Sequence, residues 1–292
     1  MIDTLRTAPH RTAPHRTAEY EAELFGCGRH GQIVPVRDRV EFKYSGLMLD
    51  IDLGLDRTEL RVIVPVVGAL ISFMIFWFAQ SSTELRKKFL QRYGSDGGSV
   101  RFFLFTKVLG GFSMGALPLS AFLIVFPTSS LSELGLAIRL DTLSATILLI
   151  IGQCIVMIPI VSMSARKPKR LKRYPQIRSK RWDKSILTAN VAAWTFYLVG
   201  YEILFRSVLL FPLVEAIGLW PSIAVNVGMY AGTHIPKGFD ETVVTIPLSV
   251  ILCLSTLLTG SILVAAVVHI TMALTNSFVA LRHHPEMRFI RK

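Results

Sequence analysis

The sequence predicts an all-α polytopic membrane helix bundle of about seven transmembrane helices, with an eighth compatible with the hydropathy. Three observations carry this reading. Only 18% of the 292 residues are charged and 51% are apolar, whereas soluble domains average about 25% charged. The apolar residues gather in runs close to the roughly 20 residues that a helix needs to cross a hydrocarbon core. The formal charge of +12 lies mostly between those runs. Together these features exclude a water-soluble globule and an intrinsically disordered chain. Three cysteines over this length also exclude a disulfide scaffold.

The first 59 residues hold eight Lys/Arg and ten Asp/Glu, with a tandem Arg-Thr-Ala-Pro-His at 6–15. No apolar h-region follows the start, so no cleavable signal peptide is expected. This region reads as extramembrane and partly disordered, and His10, His15 and His30 within it as solvated. Residues 60–164 form an N-terminal set of membrane helices, with runs at 60–79, 102–126 and 143–163. Residues 165–185 are a basic loop, and 186–282 a second membrane core with runs at 186–213, 220–234, 243–258 and 261–281. A basic tail, 283–292, ends the chain. The fifth and sixth runs are short and partly polar, so a tilted or broken segment is expected there.

Ten Lys/Arg against one Asp lie between Arg166 and Lys184. Such a run is a cytoplasmic loop under the positive-inside rule, suited to anionic headgroups. Nucleic-acid binding is not expected, because no aromatic-interleaved basic fold surrounds the run. Residues 81–101 are also basic, as is the tail. Seven spans place all three basic segments on one side, with the C-terminus and the 165–185 loop cytoplasmic and the whole in the cell (inner) membrane. In the second run, Gly110, Gly111 and Gly115 signal close helix contact. Lys107 is expected to snorkel and Gln153 to bond between helices, while Cys154 and Cys253 read as small core residues.

An ionisable group at bilayer depth needs a partner or a wet cavity, and so marks a functional site. Four stand out: Glu202 and Arg206 in the fourth run, His234 ending the fifth, and His269 in the seventh. Glu202 and Arg206 are four apart, hence on one helix face. A carboxylate and two imidazoles from three helices can activate water or hold one metal ion. Their convergence requires a broken fifth segment, which Pro236 and Gly238 permit.

Tyr201-Glu202-Ile-Leu-Phe-Arg206, then Tyr230-Ala-Gly-Thr-His234, then His269 and Asn276, at His/Glu spacings of 32 and 35, resemble the three-motif signature of the CPBP family. These are CAAX-protease and bacteriocin-processing (Abi) intramembrane endopeptidases. The resemblance spans about 186–281 and is nearest to bacterial members with a single Glu in the first motif. Two positions depart from the family pattern: Tyr201 replaces the first Glu, and Ala273 the Asn four after His269. The resemblance implies hydrolysis of a peptide or membrane-protein substrate by a Glu202-activated water, with His234 and His269 orienting water and oxyanion. The other mechanism it implies has these histidines ligating a divalent metal, zinc, with Glu241 as base. Tyr201, Tyr230, Lys237, Glu241 and Asn276 are its expected substrate or oxyanion contacts. The alternatives are a CPBP-fold binding or immunity protein without turnover and, further off, a transporter.

Overall fold

The structure, a computed structural model, describes residues 55–290. The tandem repeat, the three N-terminal histidines, Arg291 and Lys292 lie outside the described residues. Helix α1 is Arg57–Ser81, α2 Thr83–Gly111, α3 Leu117–Val125, α4 Leu143–Ala165 and α5 Pro168–Leu171. Helix α6 is Lys184–Glu202, α7 Leu210–Ile217, α8 Leu219–Gly232, α9 Phe239–Thr259 and α10 Leu263–His283. π-Helical turns, Phe112–Ala116 and Ile203–Leu209, splice α2 to α3 and α6 to α7. A short parallel pair, β1 (Arg181–Trp182) and β2 (Arg288–Phe289), ties the basic loop to the tail.

Among the described residues six helical runs are long and apolar enough to cross a membrane. The fifth expected span, α8, has 14 residues, about 21 Å at 1.5 Å per residue and short of a ~30 Å hydrocarbon core. A 3-10 turn at Ile235–Lys237, carrying Pro236, and Gly238 at φ 98° end it. It still connects the two ends of the bundle. At one end Arg178 N–H donates to Ser99 Oγ (2.6 Å), Arg288 N–H to Lys180 O (3.0 Å), and Lys169 pairs with Asp240 (3.0 Å) just after α8. At the other end Thr142 Oγ1 donates to Thr259 O (2.7 Å), and Arg61 pairs with Glu215 just before α8. The three basic segments therefore share one end.

Helix α2 is not a single rod. Gly94 adopts φ 74°, which only glycine takes without strain. The chain folds back there, so that Phe89 of the first limb packs on Phe102 (5.9 Å) and Phe105 (5.6 Å) of the second. The sequence marks this stretch as basic, and in the structure the apolar side of 83–93 lies against the membrane limb.

In lipid, helices associate by close packing instead of by the hydrophobic effect. The small residues fit that requirement. A Cβ on Gly200 would lie 2.4 Å from Gly111 O, and one on Gly115 3.0 Å from Gly200 Cα. The α2–π-turn segment thus presses backbone to backbone on α6. Over its 18-residue apolar stretch the run 184–217 is 78% buried, and α4 over its own stretch only 6%, so α6 is the central post and α4 faces outward. Gln153 Nε2 donates to Ser255 Oγ at 2.9 Å, the interhelical bond expected. Lys107 departs from expectation. It does not snorkel: its ammonium is buried, 4.1 Å from the Trp194 ring and 4.2 Å from that of Tyr197. Four rings from α1, α2 and α6 surround it, and their negative faces replace the water it forgoes.

Candidate active site

Helix α6 delivers Glu202 as its last residue, and the π-turn that follows carries Arg206. Such a turn re-aims side chains by inserting one residue per turn and recurs at functional sites. Both charges are fully buried. Glu202 Oε1 accepts a hydrogen bond from His269 Nδ1 at 2.6 Å, bridging α6 and α10. Arg206 Nε lies 3.5 Å from Glu202 Oε2. The guanidinium also donates to Asn226 Oδ1 (3.4 Å) and Ser249 Oγ (3.3 Å) and sits 4.5 Å over the Tyr230 ring. Asn226 in turn donates to Phe205 O and accepts from the Cys253 thiol. Arg206 is thus a fixed counter-charge for Glu202, as a buried pair requires.

His234 enters from the turn after α8. Thr233 Oγ1 donates to Tyr230 O (2.7 Å), so its lone pairs receive Tyr201 O–H (2.8 Å) and His234 Nδ1–H (3.0 Å). Tyr230 stacks on His234 with centroids 5.1 Å apart and meets His269 at 6.2 Å. Proton bookkeeping gives one tautomer for both imidazoles: Nδ1 carries the hydrogen and Nε2 keeps its lone pair.

A cavity of about 220 Å³ opens beside them, well above the space that one water needs. His234, His269, Tyr201, Tyr230, Lys237, Glu241 and Asn276 all line it. Glu202 and Arg206 do not. Sequence analysis expects Glu202 beside the reacting water; in the structure its carboxylate is bonded to His269, which lines the cavity. Successive helix residues point about 100° apart, so Tyr201 takes the cavity wall while Glu202 turns inward, behind His269. Ala273 and Asn276 both reach the wall, where the family pattern offers an asparagine only at the first of these positions.

At the basic end Arg170 pairs with Glu241, and Arg173 donates to Lys237 O and lies 4.0 Å from Glu241. The loop 166–184 thereby reaches the mouth of the cavity. Burial, reinforced by the charge of Arg170 and opposed by Glu241, holds the Lys237 ammonium below its usual lysine pKa. Thr233, Asn226, Ser249 and Arg170 were not singled out from sequence. Thr233 carried a signal, standing within the Tyr-x-x-x-His motif; the others are ordinary polar residues until helices meet.

The donor set does not fit a catalytic zinc. Among the described residues no three His, Cys, Asp or Glu side chains gather to hold one ion. Glu202 is engaged by His269 and Arg206, and Glu241 by Arg170.

A family model described as Type II CAAX prenyl endopeptidase Rce1-like matches residues 183–275. No curated protein and no solved structure matches the chain. The match begins at the cap of α6 and runs through the Glu202, His234 and His269 positions to within one residue of Asn276. Over this membrane core the chain is similar to the CAAX-protease-like (CPBP) family.

Proposed function

We propose that the protein is an intramembrane endopeptidase in which His269, held by Glu202, removes the proton from a water in the cavity. The observation that carries this is the 2.6 Å bond between His269 Nδ1 and a fully buried Glu202 carboxylate, made by an imidazole that lines the cavity. The bond fixes the tautomer that leaves Nε2 basic. The carboxylate then stabilises the imidazolium formed when water is deprotonated, the role a buried acid plays in an acid–histidine pair.

Water would attack a peptide carbonyl, and the oxyanion needs donors. Lys237 and Asn276 line the same cavity and can supply an ammonium and an amide N–H. His234, with a bare Nε2, accepts a hydrogen bond and so orients the water or a substrate N–H. Arg206 is a positioning residue, acting through Glu202. The substrate is a peptide or a membrane-protein segment that enters the bilayer-embedded cavity. The shared basic end supports a cytoplasmic C-terminus and 165–185 loop in the inner membrane.

One observation favours a second reading, a binding protein that keeps the fold without turnover: Tyr201 occupies the cavity wall where the family pattern has a carboxylate. Cleavage of a quenched fluorescent peptide by the purified chain in liposomes separates the two. Endopeptidase activity predicts turnover by the wild type that is lost in His269→Ala. Absence of turnover with retained peptide binding favours the second reading.

A further inference from the structure

A second cavity, of about 320 Å³, lies at the basic end of the bundle. Among the described residues four cations line it, Arg86 from the first limb of α2 and Lys172, Arg173 and Arg178 from the basic loop, and no carboxylate does. Arg173 shares its charge with Glu241 in the first cavity. Arg178 donates to the Leu171 and Pro175 carbonyls, which fix the guanidinium without neutralising it. Among the described residues no acidic group pairs with Arg86 or Lys172. Burial, and then the charge of Arg86, pull the Arg178 guanidinium below its usual pKa, as crowded like charges do.

The same cavity is lined by Gln80, from the end of α1, and by Gln176. Their side-chain oxygens are buried and have no partner in the protein. An unpartnered buried acceptor calls for a donor from a ligand or water. Phe102 and Phe103, on the limb of α2 that enters the membrane, add apolar lining. Cations, free acceptors and aromatic rings thus line one cavity.

We propose that this cavity binds a phosphate ester that also carries hydroxyl groups, its phosphate held by Arg86, Lys172 and Arg178 and its hydroxyls by Gln80 and Gln176. Two sources offer this chemistry: the headgroup of phosphatidylglycerol and a soluble polyol phosphate. Guanidinium groups match phosphate geometry, and a basic pocket at a membrane interface is a recurrent headgroup site. The hydroxyl donors distinguish this ligand from bare phosphate.

The test uses the full chain in nanodiscs of phosphatidylcholine containing a small fraction of phosphatidylglycerol, with retained lipid read by native mass spectrometry. A parallel arm titrates glycerol phosphate into discs of phosphatidylcholine alone and follows thermal unfolding. Lys172→Gln is expected to weaken binding about fivefold and Arg86→Gln/Lys172→Gln about twentyfold. Lys87→Gln/Lys88→Gln removes equal charge from the same limb at residues that do not line the cavity, and is expected to change binding less than about twofold. Selective retention of phosphatidylglycerol with this variant pattern supports the proposal with lipid as the source; the same pattern for glycerol phosphate alone supports it with a soluble source. Equal losses in the two double variants, or no binding of either probe, would overturn it.

Discussion

The Glu202→Gln substitution separates the two things that the carboxylate does. It neutralises Arg206, 3.5 Å away, and it accepts the His269 Nδ1 hydrogen at 2.6 Å. At an effective dielectric near 20 the ion pair has a gross Coulomb energy of about 5 kcal/mol. Removing one member leaves a buried guanidinium uncompensated, at about 3–5 kcal/mol. Asn226, Ser249 and the Tyr230 ring stay in place around it, so we expect the lower end of that range. Melting in detergent should fall by several degrees. Arg206→Met in the same chain removes the orphaned charge, and the Glu202→Gln/Arg206→Met double variant should regain at least half of the lost stability. Turnover should not follow. Both variants lack the anion that stabilises the imidazolium, and peptide cleavage should stay about 100-fold or more below wild type. The assay is thermal unfolding beside fluorogenic peptide cleavage on the same preparations. Recovery of cleavage together with stability would show that Glu202 serves only Arg206 and would refute the dyad.

Other expectations follow from single contacts. Gly200→Ala and Gly111→Ala drive a methyl into the facing helix and should each lower stability by about 1–3 kcal/mol or more; Gly152→Ala, with nothing within 4 Å of its Cβ, should be silent, and thermal unfolding compares the three. The ammonium of Lys237 is held below the usual lysine pKa, chiefly by burial, so its charge is lost as pH rises through a value lower than that of a free lysine. The alkaline limb of kcat/KM should therefore begin early and move to higher pH in Lys237→Arg; a pH–rate profile that does not move would remove Lys237 as an oxyanion donor. Lys107→Met removes a buried charge that no carboxylate among the described residues balances, while nearly keeping the volume among its four rings. It should unfold no earlier than wild type, whereas loss of about 1 kcal/mol or more would show that the cation–π contacts outweigh desolvation.

The membrane architecture was legible because apolar run length and Lys/Arg bias are properties of the chain itself. The runs at 60–79 and 143–163 lie within α1 and α4, the run at 261–281 falls in α10 but for its first two residues, and the glycines at 110, 111 and 115 meet α6 as their spacing suggested. Convergence of Glu202 with His269 was also readable, since each is an ionisable residue in an apolar run and so needs a partner. The facing of Glu202 was not. Whether Tyr201 or Glu202 meets the cavity depends on helix phase, and the π-turn at Ile203–Leu209 alters that phase just where it matters. The Lys107 cage was hidden for a related reason: its rings come from Phe76, Phe103, Trp194 and Tyr197, which only packing unites. The fold-back at Gly94 had a signal in the glycine, but a lone glycine in a basic stretch equally reads as a loop.

Hydrolysis by a cavity water is tested most directly with isotopically labelled water. Cleavage of a transmembrane peptide by the wild-type protein in 18O-enriched water should place one heavy oxygen in the new C-terminal carboxylate, and His269→Ala should yield no labelled product. Peptide recovered bound but intact from the wild type, with no label, would contradict the account.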